Sequence, residues 1–224
     1  MKKSFKSIVL FFTLFLINPA VLLGQTEYMI EKFSDDYFGK IIIDEGFEEE
    51  VFKKGKIIII NQATKKEIIE IYSDELVFDF DSKGEVAINE DVLFYQDFNF
   101  DGTQDLAIQD GMFSCYHGPS YQIYLMTNGH FAHSEEFSRL SQEYCGMFQV
   151  DHDKRTISTM SKSGYTWRQH STFVVENDIP VIIRIREFNF DNGEWKEEVG
   201  HFPMWIIFIA GLVFLVAVFR KKKK

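Results

Sequence analysis

The chain is poor in the residues that build many catalytic centres, with two cysteines and six histidines in 224 residues. It contains no Cys-x-x-Cys, no His-Glu-x-x-His, no Gly-x-Ser-x-Gly elbow and no phosphate-cradling glycine loop. Five histidines, His117, His130, His133, His152 and His170, are scattered between residues 25 and 200. In a strand, positions 130 and 133 face opposite sides, so only a turn lets them share a metal. These absences point away from an enzyme, and a hydrolase stands third among the functional readings. With four prolines and no serine-rich stretch, no linker divides the chain. Positive charge is scarce as well. All 34 Asp and Glu lie between residues 25 and 200, with 16 of the 24 Lys and Arg. So acidic a region repels nucleic acid and favours cations and basic proteins.

The missing charge at the two ends is equally informative. After Met1-Lys2-Lys3-Ser4-Phe5-Lys6, the stretch from Ile8 to Leu23 is uncharged and apolar, the pattern of a secretory signal peptide over residues 1–24. Gly24 before Gln25 offers a small residue at the cut; an uncleaved anchor is the alternative. No cysteine is present there, which excludes lipoprotein processing. Residues 202–219 are uncharged too, and Arg220-Lys221-Lys222-Lys223-Lys224 follows. Eighteen helical residues rise about 27 Å, enough to span the hydrocarbon core, and the cations favour the cytoplasmic side. The expectation is a single-pass inner-membrane protein: exported domain 25–200, transmembrane helix 202–219, cytoplasmic tail 220–224. Cys115 and Cys145 both fall in the exported part, where oxidising conditions favour a bridge. Closing that loop is worth roughly 3 to 4 kcal/mol.

Between the ends, short runs rich in Ile, Val, Phe and Tyr alternate with turn residues. Strands are expected at 40–43, 56–61, 67–72, 76–80, 92–95, 106–108, 121–126, 147–150, 156–160, 171–175 and 181–188. Asn128-Gly129, Asp191-Asn192-Gly193 and Asp81-Ser82-Lys83-Gly84 read as turns. Ile183-Arg184-Ile185-Arg186 alternates in the manner of a sheet with one wet face. One helix is plausible, at 134–144. The fold class is all-β: an antiparallel meander of short strands, propeller-like, with a β-sandwich as the alternative.

One motif carries chemistry. In Asp97-Phe98-Asn99-Phe100-Asp101-Gly102-Thr103-Gln104-Asp105, oxygen-bearing residues occupy alternate positions and Gly102 sits at the sixth. That spacing curls Asp97, Asn99, Asp101, the Thr103 carbonyl and Asp105 round a hard cation, Ca²⁺. An ordinary EF-hand is excluded, because its twelfth position, a bidentate Glu, is here Ile108. With strands expected on both sides, the loop resembles the strand-loop-strand calcium loops of integrin-type FG-GAP propellers. Together with Tyr121-Gln122-Ile123-Tyr124-Leu125 and Gly129-His130-Phe131, it is similar to a family of exported calcium-binding β-propeller-like proteins. One branch of that family resembles lysozyme inhibitors and immunity proteins. The resemblance implies bound calcium and a Ser/Gly/Tyr loop that enters the cleft of a basic lysozyme-like peptidoglycan hydrolase. Two loops are candidates, one with Ser120 and Tyr121, the other with Ser163, Gly164 and Tyr165; neither reproduces a strict Ser-Gly-x-x-Tyr pattern, and ordinary turns beside strands are the alternative. The alternative is an envelope scaffold in which calcium is purely structural.

Overall fold

The computed structural model describes residues 25–88 and 92–199. The expected signal peptide, transmembrane segment and basic tail lie outside the described residues. Among the described residues, no helix is long and apolar enough to cross a membrane.

The first sheet comprises β1 (Thr26–Met29), β2 (Tyr37–Ile43), β3 (Lys53–Asn61) and β4 (Glu67–Leu76). The second comprises β5 (Leu93–Gln96), β6 (Asp105–Ser114), β7 (Gly118–Thr127) and β8 (His130–Ser134). After α1 (Glu135–Glu143) come β9 (Gln149–Asp151), β10 (Thr156–Ser163), β11 (Trp167–Glu176), β12 (Ile179–Asn189) and β13 (Glu194–Val199), which form the third. Each strand pairs antiparallel with its neighbours in sequence, so all three sheets are meanders. In the described residues they remain separate open sheets; the propeller-like expectation is corrected to three stacked meanders that do not close into a ring or barrel.

The stacking follows from which faces are apolar. Ile41, Ile43, Ile57, Ile59, Ile69 and Ile71 of the first sheet pack with Leu93, Leu106 and Ile108 of the second. The other face of the second sheet sends Ala107, Ile123 and Leu125 into another core with Phe137, Leu140, Phe148, Ile157 and Phe173. The middle sheet is therefore covered on both faces, which is why Leu106-Ala107-Ile108 is an unbroken apolar run. The first sheet has one wet face, seen on β4, where Glu70 and Tyr72 are exposed while Ile69 and Ile71 are buried.

Helix α1 begins at Ser134, whose hydroxyl accepts from the Phe137 amide, and Glu135 and Glu136 occupy its first turn. Its buried serines serve β7 beyond the point where β8 ends. The Ile123 amide donates to the Ser138 hydroxyl at 2.9 Å and the Tyr121 amide to the Ser141 hydroxyl at 2.9 Å, so the exposed edge is capped by side chains. The strand expected over 76–80 is not formed; β4 ends at Leu76, and Phe80 makes only an isolated bridge to Val86.

Candidate functional site

Two ends of the molecule collect the residues singled out from the sequence. At one end the loop between β5 and β6 carries Asp97 to Asp105. Gly102 takes φ +92°, a conformation that L side chains rarely adopt, as a turn at this position requires. Phe98 is fully buried and Phe100 nearly so, so the even positions anchor the loop in the second core. Phe100 also has positive φ, held by the Arg155 guanidinium, which donates to its carbonyl at 2.7 Å and stacks over its ring.

The odd positions turn their oxygens onto amides of the loop itself. Asp97 accepts from the Asp101 and Gly102 amides at 3.1 and 2.9 Å. Asp101 accepts from both the amide and the hydroxyl of Thr103. Burial acts to raise the Asp101 carboxyl, but the hydrogen bonds from Thr103 and Asn99 outweigh it and hold the group below its ordinary value. Asp105 is 0% exposed and accepts from the Phe98 amide and, across the sheet, from the Met126 amide, each at 2.8 Å. Burial first, then the charges of Asp101 and Asp97, push this carboxyl up to about 6 against the pull of the two amides.

These donors suit a hard cation in kind: carboxylates, a side-chain amide and a glycine-permitted turn. Their arrangement is a self-satisfied one. Among the described residues, no three His, Cys, Asp or Glu side chains are spaced to hold a metal ion. The sequence reading missed Asp178, in the turn between β11 and β12, which accepts from the Asn99 side-chain amide at 2.7 Å. Seventy-nine positions separate these two residues. Only the stacking of the second and third sheets reveals the contact.

The opposite end is marked by Cys115 and Cys145, which form the expected disulfide and tie the β6–β7 turn to the segment after α1. In that turn Tyr116 and His117 both take positive φ. Such a conformation is uncommon for non-glycine residues and clusters at functional sites. The Tyr116 hydroxyl accepts from the Gly164 amide at 2.7 Å, joining this turn to the β10–β11 turn, and Lys162 lies over the Tyr116 ring. Tyr165, at the apex, is 99% exposed, with Phe113 and Tyr116 each 61% exposed.

The two candidate partner loops therefore separate. Ser163, Gly164 and Tyr165 sit at the exposed tip. Ser120 and Tyr121 instead lie inside β7 and are buried, out of a partner's reach. The Ser120 hydroxyl donates to Asp110 at 2.7 Å, and Tyr121 packs edge-on against Phe94.

His130 and His133 are both in β8. His133 lies against the ring of Tyr124 and bonds Ser138 at 3.1 Å.

No family model and no curated protein matches the chain. Among solved structures, its fold is similar to that of a Xanthomonas protein described as Type IV secretion system related, at TM-score 0.58 and 18% identity, over 80% of this chain and 90% of that one.

Proposed function

We propose that the chain is a single-pass, inner-membrane-tethered binding module, braced by one calcium ion, whose hairpin tip engages and inhibits a lysozyme-like peptidoglycan hydrolase in the manner of an immunity protein. The observation that carries this reading is the tip itself. Tyr165 projects fully into solvent from a turn that the hydrogen bond from Gly164 to the exposed Tyr116 joins to the β6–β7 turn, which the Cys115–Cys145 bridge ties to the segment after α1. An exposed aromatic on a backbone turn held by a hydrogen bond offers the kind of anchor a binding hot spot uses.

Calcium belongs to the other end. There Asp97, Asn99, Asp101 and Asp105, with the Thr103 carbonyl, would exchange their amide hydrogen bonds for the ion. The role is mechanical: it would hold the start of β6 and, through Asn99 and Asp178, the third sheet against the second. The net negative charge of residues 25–200 steers a basic hydrolase toward the domain.

The test is inhibition of peptidoglycan hydrolysis by the full-length chain in detergent, across several lysozyme types. Stoichiometric inhibition is expected, with Tyr165→Ala weakening it about thirtyfold, as for a hot spot of about 2 kcal/mol. No inhibition by folded protein removes the inhibitor reading. The scaffold reading, favoured by the description of the structurally similar Xanthomonas protein, then gains if the chain recovers a membrane complex from envelope extracts.

A further inference from the structure

The third sheet is two-faced in charge, against the acidic balance of the rest. Strand register sets the faces. Arg168 is opposite Phe188, His170 opposite Arg186, and Phe188 in turn opposite Trp195, so these side chains share one face. Lys162 joins them through its pairing with Arg168, and Arg184 through its pairing with Thr172. The opposite face of the same strands carries Glu187, Glu194 and Glu198, with Lys196.

A bulge creates this segregation. Thr172 pairs with Arg184 but Phe173 pairs with Ile182, leaving Ile183 unpaired. The bulge shifts the parity of β12, so that Ile182 packs on the core while Arg184 and Arg186 point outward.

The outward face is an ordered ladder of rings and cations. Phe188 meets Phe190 at 4.5 Å and Trp195 at 4.8 Å, the Arg186 guanidinium lies 4.5 Å over Trp195, and Arg168 lies 5.1 Å over Phe190. Arg168, Arg184, Arg186, Phe190 and Trp195 are exposed. Glu197, bonded to Arg184 at 3.1 Å, is the carboxylate that the register places among these cations; Glu176 and Asp151 share the face further along the sheet, Asp151 paired with Lys154. Three of the five arginines between residues 25 and 200 are thus gathered on one face with Lys162 and a Trp-Phe-Phe cluster.

We propose that this face docks on the anionic phospholipid headgroups of the membrane that the C-terminal segment enters. The inference rests on the tethering part of the proposed function. β13 is the edge strand of the sheet and ends at Val199, so the first residue of the apolar run, Phe202, is three residues on and no more than about 10 Å away. A bilayer surface therefore lies within reach of the ladder. Its composition suits that surface: Trp and Phe at headgroup level, guanidinium groups on lipid phosphate, and the acidic face turned to water. In this pose the sheet lies along the membrane with the β10–β11 tip at its rim, while the 97–105 loop, at the other end, stays in the aqueous phase.

The test uses the full-length chain reconstituted in phosphatidylcholine vesicles with and without phosphatidylglycerol. Trp167→Phe and Trp205→Phe leave Trp195 as the sole tryptophan of the three. Acrylamide quenching of Trp195 should fall when phosphatidylglycerol is present and recover in about 0.5 M salt, where screening is strong. Each cation lost in Arg168→Glu and Arg186→Glu should shift the docked-to-free ratio by about fivefold or more, whereas Arg168→Lys and Arg186→Lys should keep most of the protection.

Equal quenching in both lipids, with the chain still held by the vesicles after a salt wash, overturns the docking inference alone. A chain that washes off overturns the tether and the docking together. If protection depends instead on protein concentration and appears without phosphatidylglycerol, the face binds a second copy and the lipid assignment fails.

Discussion

Asp105 offers the sharpest perturbation, because its carboxylate closes two sheet-level connections at once. Its oxygens accept from the Phe98 amide at the entrance to the loop and from the Met126 amide at the end of β7, and the side chain has no exposed surface. Asp105→Ala leaves two amides without their acceptor in a site the mutation does not open to water. Each orphaned buried donor costs about 1–3 kcal/mol, so the expected loss is about 4 kcal/mol after allowance for relief of the buried charge. With a urea slope of about 2 kcal/mol per molar, the unfolding midpoint of the full-length chain in detergent drops by about 2 M at unchanged slope. Asp105→Asn retains one acceptor and carries no charge to desolvate, so it should fall between the two, losing about 1–2 kcal/mol. Both comparisons are made in chelator, to keep any cation out of the difference. An alanine variant within about 0.5 kcal/mol of wild type would refute the latch.

The same carboxyl gives a pH dependence whose sign is fixed by its raised value. Protonation near 6 in the fold against 3.8 for the unperturbed group means that the stabilising proton is fully bound below about pH 4 and lost as pH rises through about 6. In chelator, wild type should therefore lose stability relative to Asp105→Asn between about pH 4.5 and 7, and parallel curves would contradict this. Removing the bridge with Cys115→Ser and Cys145→Ser, which opens a connection across 30 positions, should cost roughly 3 to 4 kcal/mol by urea unfolding. Reducing agent should do the same to wild type and nothing to the variant. Tyr116→Phe deletes the hydroxyl that receives the Gly164 amide and should cost only about 1 kcal/mol of stability, while weakening hydrolase inhibition by loosening the tip.

Much of the fold was legible because apolar spacing reports burial directly. Ile57 to Ile60, Leu106 to Ile108 and Tyr121 to Met126 all lie in strands of the expected type, and the helix expected at 134–144 is α1. Strands β1, β8 and β13 were illegible: Thr-Glu-Tyr-Met, His-Phe-Ala-His-Ser and Glu-Trp-Lys-Glu-Glu-Val are edge segments that bury little and carry weak patterns. Sheet closure was misjudged because successive hairpins look alike whether their sheets ring an axis or stack, and the difference lies in which faces pack. At the site, Gly102 and the buried Phe98 and Phe100 followed from local spacing. Asp178, Arg155 and the Gly164–Tyr116 contact join segments distant in sequence and carry no local signal. The Ser120-Tyr121 loop misled because its serine and tyrosine read as a turn, whereas the neighbouring β6–β7 turn leaves them in mid-sheet.

Thermal melting of the full-length chain in calcium and in chelator, beside Asp101→Ala, tests most directly whether one divalent ion braces the 97–105 loop. With an affinity of about 1 mM, usual for extracellular sites, about 10 mM calcium adds about 1.4 kcal/mol. For a domain of this size that raises the wild-type melting temperature by about 3 to 6 °C and leaves Asp101→Ala unmoved. Coincident wild-type curves in calcium and chelator would contradict the account.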